Sequence, residues 1–230
     1  MASKVEILGA IERLCWRRYI WEHTFIVIFH NTVFVGENMK TQRAYGSEWK
    51  DALEGISPIH YSTKFGKNVR LGFGVVIEKD CVIGDNTFIG HHTVLRPGTI
   101  IGNDCTIGHL SVFEGECEIQ DRVLIHSQCH ITKDVLIEED VFIAMFFVGA
   151  NTPRIVHGRN YPLKIKGYTI RRAARIGINV SVLPGVIIGE NAMIGVGSVV
   201  TKDIPPRQLW LGNPARFFKN VPENEILEKN

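Results

Sequence analysis

The stretch Cys81-Val-Ile-Gly-Asp-Asn-Thr-Phe-Ile-Gly-His-His-Thr-Val-Leu-Arg-Pro-Gly-Thr-Ile-Ile-Gly-Asn-Asp-Cys-Thr-Ile-Gly108 places an aliphatic residue at every sixth position: Ile83, Ile89, Leu95, Ile101 and Ile107. Working outward, the register continues back through Ile77, Leu71 and Phe65 and forward through Phe113, Ile119, Ile125, Ile131, Ile137 and Ile143, so all fourteen positions are filled. With 45% hydrophobic residues in the chain, chance fills one chosen register this well about once in 10⁵ tries. The repeat therefore organises the molecule, and each hexad reads as a short strand followed by a corner.

The other phases of the hexad support this reading. The residue after the aliphatic is often glycine (Gly66, Gly72, Gly84, Gly90, Gly102, Gly108), as expected if the chain turns directly after each inward side chain. Two residues before each next aliphatic stands a small or β-branched residue, from Val69, Val75 and Cys81 to Val135 and Val141. Four of the five cysteines (Cys81, Cys105, Cys117, Cys129) occupy this phase. Their spacing gives neither a zinc pattern nor a disulfide framework, so they read as packing residues in a reducing compartment.

The period breaks once. It resumes at Ile170, Ile176, Val182, Ile188, Ile194 and Val200, and the 27 residues from Ile143 to Ile170 are not a multiple of six. An insertion is forced, of about 15 residues if the coil closes normally. The segment 152–167 carries Arg154, His157, Arg159, Lys164 and Lys166 with no carboxylate. It is either a solvated excursion or, as a loop of one charge sign leaving a rigid scaffold, a site for an anion such as phosphate.

The 230 residues hold 28 Ile and 22 Val against 13 Leu, a bias toward β-branched residues that argues against an all-α fold. A net charge of +2 from 26 basic and 24 acidic residues excludes a generic nucleic-acid binder. Lys4, Glu6, Glu12, Arg13, Arg17 and Arg18 interrupt the early apolar runs, which predicts a cytoplasmic chain without a signal peptide. The longest uncharged stretch, 24–36, is too short to span a bilayer. Val5, Leu8, Ile11, Cys15 and Tyr19 recur at helical spacing, and strands are expected at 24–29 and 32–36. Pro205-Pro206 ends the regular pairing, and a small helix is expected around residues 222–227. The expected divisions are 1–56 as a cap or oligomerisation segment, 57–206 as the repeat with its inserted loop 152–167, and 207–230 as a C-terminal extension.

This pattern resembles the hexapeptide repeat of left-handed parallel β-helix proteins. The resemblance implies an all-β fold in which three hexads make one triangular coil of 18 residues, so that residues 18 apart stack. The corner series Glu78, Arg96, Glu114 then alternates in charge. The expected whole is a left-handed parallel β-helix with a short helical and strand cap at the N-terminus and a small C-terminal helix.

The stretches Ala174-Arg-Ile-Gly-Ile-Asn-Val-Ser-Val-Leu-Pro-Gly-Val-Ile-Ile-Gly189, Ile194-Gly-Val-Gly-Ser-Val-Val-Thr-Lys-Asp-Ile-Pro-Pro206 and Gly212-Asn-Pro-Ala-Arg216 are similar to the end of hexapeptide-repeat acyltransferases that use acyl-CoA. The residues around 138–144 and 149–154 are similar to enzymes that acetylate the amine of nucleotide-linked amino sugars. The resemblance implies acetyl-CoA as donor, a nucleotide-linked amino sugar as acceptor, a homotrimer, and no metal. In such relatives CoA lies in a groove between neighbouring subunits, its pantetheine arm bonded to backbone at a stacked corner. By motif position the matching residues are Ile178, Val196, Thr201, Lys202 and Arg216. Gly195 and Gly197 permit close approach, and the cations suit phosphates, although Lys202 and Arg216 are also ordinary surface residues.

Acyl transfer needs a base for the nucleophile's proton and donors for the developing oxyanion. His126 replaces glycine in the series Gly72, Gly90, Gly108, His126, Ala144, so its imidazole should leave the coil; it is the candidate base. Asn151 stands where the sugar N-acetyltransferases have an asparagine and is a candidate to fix the substrate. His130, Arg154, His157 and Arg159 are candidate substrate contacts. The position matching the catalytic histidine of maltose and galactoside acetyltransferases is Arg154, which argues against that O-acetyl mechanism. Rival readings are O-acetylation of a small hydroxyl substrate, a γ-carbonic-anhydrase-like zinc lyase using His91, His126 and His130, and a non-catalytic scaffold. The histidine spacings of 35 and 4 miss the 36 and 5 of the zinc family.

Overall fold

The computed structural model describes residues 58–228 and the backbone of Tyr19–Trp21, Thr24–Phe29 and Thr32–Val35. The expected N-terminal helix lies outside the described residues except for Tyr19, which opens a strand. From residue 59 onward the chain winds as a parallel β-helix. Three sheets form its faces: face 1 runs from Val69–Leu71 to Met193–Ile194, face 2 from Val76–Ile77 to Val199–Val200, and face 3 from Lys64–Phe65 to Ile187–Ile188.

Strand partners stand 18 residues apart, as in Ile83↔Ile101 and Ile101↔Ile119, so every third hexad stacks. Each strand is two or three residues long, because a hexad leaves only its aliphatic residue and the one before it in extended pairing. The aliphatic side chains fill the interior: Leu71, Ile89, Ile107, Ile125 and Ile143 are fully buried. Area removed from water by this continuous column is the main source of stability.

The small column is buried with them. Its polar members tolerate burial because they donate to carbonyls of the next coil: the Thr87 hydroxyl to Gly102 O at 2.8 Å, Thr93 to Gly108 O at 2.9 Å and the Cys129 thiol to Ala144 O at 3.3 Å. Burial pushes the thiols of Cys105, Cys117 and Cys129 up to about 11.

The turn itself sits elsewhere than expected. The left-handed residue is the third after the aliphatic, as at Asn68, Asp80, Asn86, His92 and Asp104 with φ of 54–60°. The glycine directly after the aliphatic answers a different constraint, close approach of coils: a Cβ on Gly108 would lie 2.3 Å from the Ser127 amide nitrogen. The alternating corner charges also do not pair: Glu114 instead meets the His130 ring, Nε2 to Oε1 at 2.9 Å.

Across the insertion the register is 33 residues, with Leu136↔Thr169 and Phe142↔Arg175 paired, which is one coil of 18 plus 15. Gly149 occupies an aliphatic position, and the gap is filled by Tyr168, whose ring carbon would lie 1.9 Å from a Cβ there. Phe147 joins it in the buried column, its ring 5.7 Å from that of Tyr168.

At both ends face 1 continues as an antiparallel ribbon. Thr32–Val35 pairs with Val69–Leu71 and carries Thr24–Phe29 and Tyr19–Trp21 beyond it. Gln208–Leu211 extends the other end in parallel with Met193–Ile194 and pairs antiparallel with Arg216–Asn220. The expected C-terminal helix is a single 3-10 turn, Glu223–Glu225. The tail after it is clamped by the buried Arg172 and by Asn191, both donating to Leu227 O. Among the described residues no helix is long and apolar enough to cross a membrane.

Candidate functional site

Three corners separate the faces, and they differ in chemistry. Corner 1, after face 1, comprises residues 72–74, 90–92, 108–110, 126–128, 144–146, 177–179 and 195–197 and contains no Asp, Glu, Lys or Arg. Corners 2 and 3 are rich in charges, among them Glu78, Arg96, Glu116, Lys133 and Asp203 on corner 2 and Asp85, Asp121, Glu139, Arg172 and Glu190 on corner 3.

Corner 1 brings three of the predicted residues, Val196, Ile178 and His126, onto one edge of the coil. Val196 and Ile178 stack at its C-terminal end, 70% and 40% exposed, and the same column continues through Met145, Ser127, His109, His91 and Phe73. Gly197 beside Val196 has φ of 67°, and a Cβ added there would meet nothing within 4 Å, which leaves the backbone open to a ligand. The exposed His126 ring stands against Phe142 at 5.5 Å between centroids. Met145, Phe146 and Val148 are exposed on the adjoining coil, so the imidazole borders an apolar surface.

Corner 2 holds Asn151, the inserted loop with Arg154, His157 and Arg159, and Thr201 and Lys202. Asn151 is buried and structural in its contacts: its Nδ2 donates to Lys133 O at 3.1 Å, its Oδ1 accepts from Thr152 at 3.1 Å, and its carbonyl accepts the Lys166 amide at 2.7 Å. It closes the neck of the inserted loop. The loop is largely exposed, with Arg154 over the Tyr161 ring at 3.9 Å, Tyr161 donating to Ile155 O, and Arg159 donating to His157 O at 3.3 Å. Ile155, at 80% exposure, projects from it.

Thr201 and Lys202 follow face 2 on corner 2; the Lys202 ammonium lies 5.0 Å from the Trp210 ring centre. Arg216 begins the last strand of the C-terminal ribbon. His130 lies on face 2 and is held by Glu114. An open groove of about 650 Å³ between corner 2 and face 3, lined by Glu116, Glu118, Asp134 and Gly167, holds none of the predicted residues.

The six residues from one corner to the next separate corners 1 and 2 by about 15–20 Å at strand rise. Within one chain His126 and Asn151 therefore stand on different edges of the prism. Sequence reasoning missed His109 and the apolar surround of Met145 and Phe146. The signal that finds them is the 18-residue phase, carried across the insertion as 33.

Two family models match the chain, and they stop on either side of the inserted loop. Residues 53–153 match the GMPPB C-terminal domain, and residues 167–202 match the bacterial transferase hexapeptide of six repeats. A protein of Staphylococcus aureus assigned as an acetyltransferase is 44% identical over 81 residues, covering 35% of this chain and 40% of that protein. The dTDP-3-amino-3,6-dideoxy-alpha-D-galactopyranose 3-N-acetyltransferase of Aneurinibacillus thermoaerophilus is 54% identical over 48 residues, covering 21% of this chain and 25% of that one.

Over these stretches the chain is similar to hexapeptide-repeat transferases and to acetyltransferases. Its fold is shared with the N-acyltransferase AntD of Bacillus cereus, solved in complex with dTDP and 3-hydroxybutyryl-CoA, at a TM-score of 0.51 and 19% identity over 69% of this chain and 83% of that one. The matched stretches span well under two thirds of the curated relatives, 40% and 25% of their lengths. The likeness to the family models thus rests on the repeat on either side of the inserted loop.

Proposed function

We propose that the protein is an acyl-CoA-dependent acetyltransferase that acts, as a homotrimer, on the amine of a nucleotide-linked sugar. The observation that supports this best is the uncharged ladder of corner 1, where Val196 and Ile178 lead through Met145 to the corner segment of His126 and Ser127. At about 4.8 Å per coil, His126 stands about 10 Å along the axis from Ile178 and about 14 Å from Val196. A pantetheine arm bonded to backbone at these two corners would present its thioester to the imidazole. The names of the A. thermoaerophilus relative and of AntD support an amine of a nucleotide sugar as acceptor and an acyl-CoA as donor.

In this reading the substrate amine attacks the thioester carbonyl, His126 accepts the proton the amine gives up, and backbone amides of the corner donate to the oxyanion. The C–S bond then breaks, and the departing CoA thiolate takes that proton. Val196 and Ile178 hold the arm, while Thr201, Lys202 and Arg216 serve its phosphates. Arg154, His157 and Arg159 serve phosphates from the loop, with Asn151 fixing the neck and His130 bordering the substrate. Because corners 1 and 2 of one chain are apart, the loop of one subunit would act at corner 1 of its neighbour.

The test is release of CoA thiol from acetyl-CoA against a panel of nucleotide-linked 3- and 4-amino sugars. Release with at least one such sugar is expected; turnover confined to simple alcohols would overturn the reading.

A further inference from the structure

We propose that His91 and His109 form an oxyanion subsite on corner 1 that takes the phosphate groups of the acceptor's nucleotide. The inference deepens the transferase reading and rests on it for the identity of the ligand.

The geometry begins with backbone. The amide of Phe73 donates to Nδ1 of His91 at 2.7 Å, and the amide of His91 donates to Nδ1 of His109 at 2.8 Å. An amide can only donate, so each Nδ1 is an acceptor and each neutral ring carries its proton on Nε2. That N–H points away from the coil backbone and has no hydrogen-bond partner among the described residues. The rings are stacked, centroids 4.9 Å apart and planes 15° apart, so the two donors are parallel and one coil apart. His109 is exposed and His91 partly so.

This arrangement selects a ligand class. A metal ion needs a ring nitrogen with a free lone pair, and here Nδ1 is occupied and Nε2 protonated. Two parallel outward donors suit oxygens of one phosphate or of adjacent phosphates. No carboxylate of corner 1 competes for them, since the corner has none. Position selects the source. Val196 and Ile178 lie on the C-terminal side of His126, whereas His109 and His91 lie one and two coils beyond it on the other side. A donor arm arriving from Val196 ends at His126, and what continues past it is the acceptor.

Corner 3 supplies the control. In the same column there, Asn103 accepts the Asp85 amide through Oδ1 at 2.8 Å. Substituting His91→Asn with His109→Asn should keep the backbone bond and remove the outward ring donors. The test uses the full chain with ¹⁵N-labelled histidine, titrated with inorganic pyrophosphate, thymidine diphosphate or free CoA, with thermal unfolding as the folding check. Wild type is expected to show Nε2 shifts at both histidines with the two diphosphates, and the double variant to bind them about tenfold more weakly or worse. Should the double variant unfold, the single His109→Asn and the wild-type shifts decide.

Equal diphosphate affinity in a folded variant, or shifts elsewhere only, would overturn the subsite. Shifts at these histidines with CoA alone would overturn its assignment to the acceptor. An active enzyme whose KM for the nucleotide sugar is unmoved by the double substitution would sink the subsite and spare the transferase reading. Pyrophosphate binding at the histidines in a protein that turns over no nucleotide sugar would do the reverse.

Discussion

Tyr168 stands in for a side chain the repeat omits at Gly149, and its hydroxyl is buried without a hydrogen-bond partner of normal geometry among the described residues, as is that of the neighbouring Thr132. Tyr168→Phe keeps the ring and removes the unpaired group, so it should leave the melting temperature unchanged or raise it, within about 1 kcal/mol. Gly149→Ile restores the repeat consensus yet drives a Cβ into the ring, and should destabilise by about 1–3 kcal/mol or more in chemical denaturation. The thiols supply a pH test. Cys105, Cys117 and Cys129 are held protonated, their pKa raised from 9.0 to about 11. Between those values the unfolded chain has released these protons and the folded chain has kept them, so this contribution is intact below about pH 9 and falls away between about 9 and 11. Denaturant midpoints should decline over that window, and a disulfide reagent at pH 8 should titrate these three only after unfolding.

At the scale of elements, corner and loop can be dissected separately. His126→Ala should lower kcat about 10²-fold if the imidazole takes the proton during attack. A variant keeping more than about a third of wild-type kcat would leave the corner backbone as the working site. Arg154→Ala with Arg159→Ala should instead raise an apparent KM with a smaller effect on kcat, the mark of lost ground-state binding. The hexad strands and the 15-residue excess were legible because a period of six and its interruption are arithmetic properties of the chain. The place of the turn was not, since the glycine in the repeat marks contact between coils and the left-handed residue is as varied as Asn68, His92, Leu110 and Phe146. Asn151 was legible as a motif residue but not as the neck of the loop, because its partners Lys133 and Lys166 are fixed only once the coil closes.

At the scale of the molecule, the proposed sharing of one site by His126 and the loop, which stand on different edges, requires a second chain, so light scattering should find a trimer; a monomer that still turns over substrate would refute shared sites. The assignment of residues to three corners was not read along the chain, since it needs each residue sorted by its place in an 18-residue coil. Handled that way, the charge-free corner follows at once, because every charged side chain of the corners falls on the other two. The 33-residue register between Leu136 and Thr169 has a mechanical consequence. Pulled by its ends, a solenoid peels turn by turn, and each regular turn of 18 residues should release about 60–65 Å of contour at 3.3–3.6 Å per residue. The turn that bears the loop should release about 110–120 Å on the same scale. A single-molecule extension trace would thus carry one long step among short ones, a built-in fiducial mark giving the position of the loop-bearing coil along the solenoid.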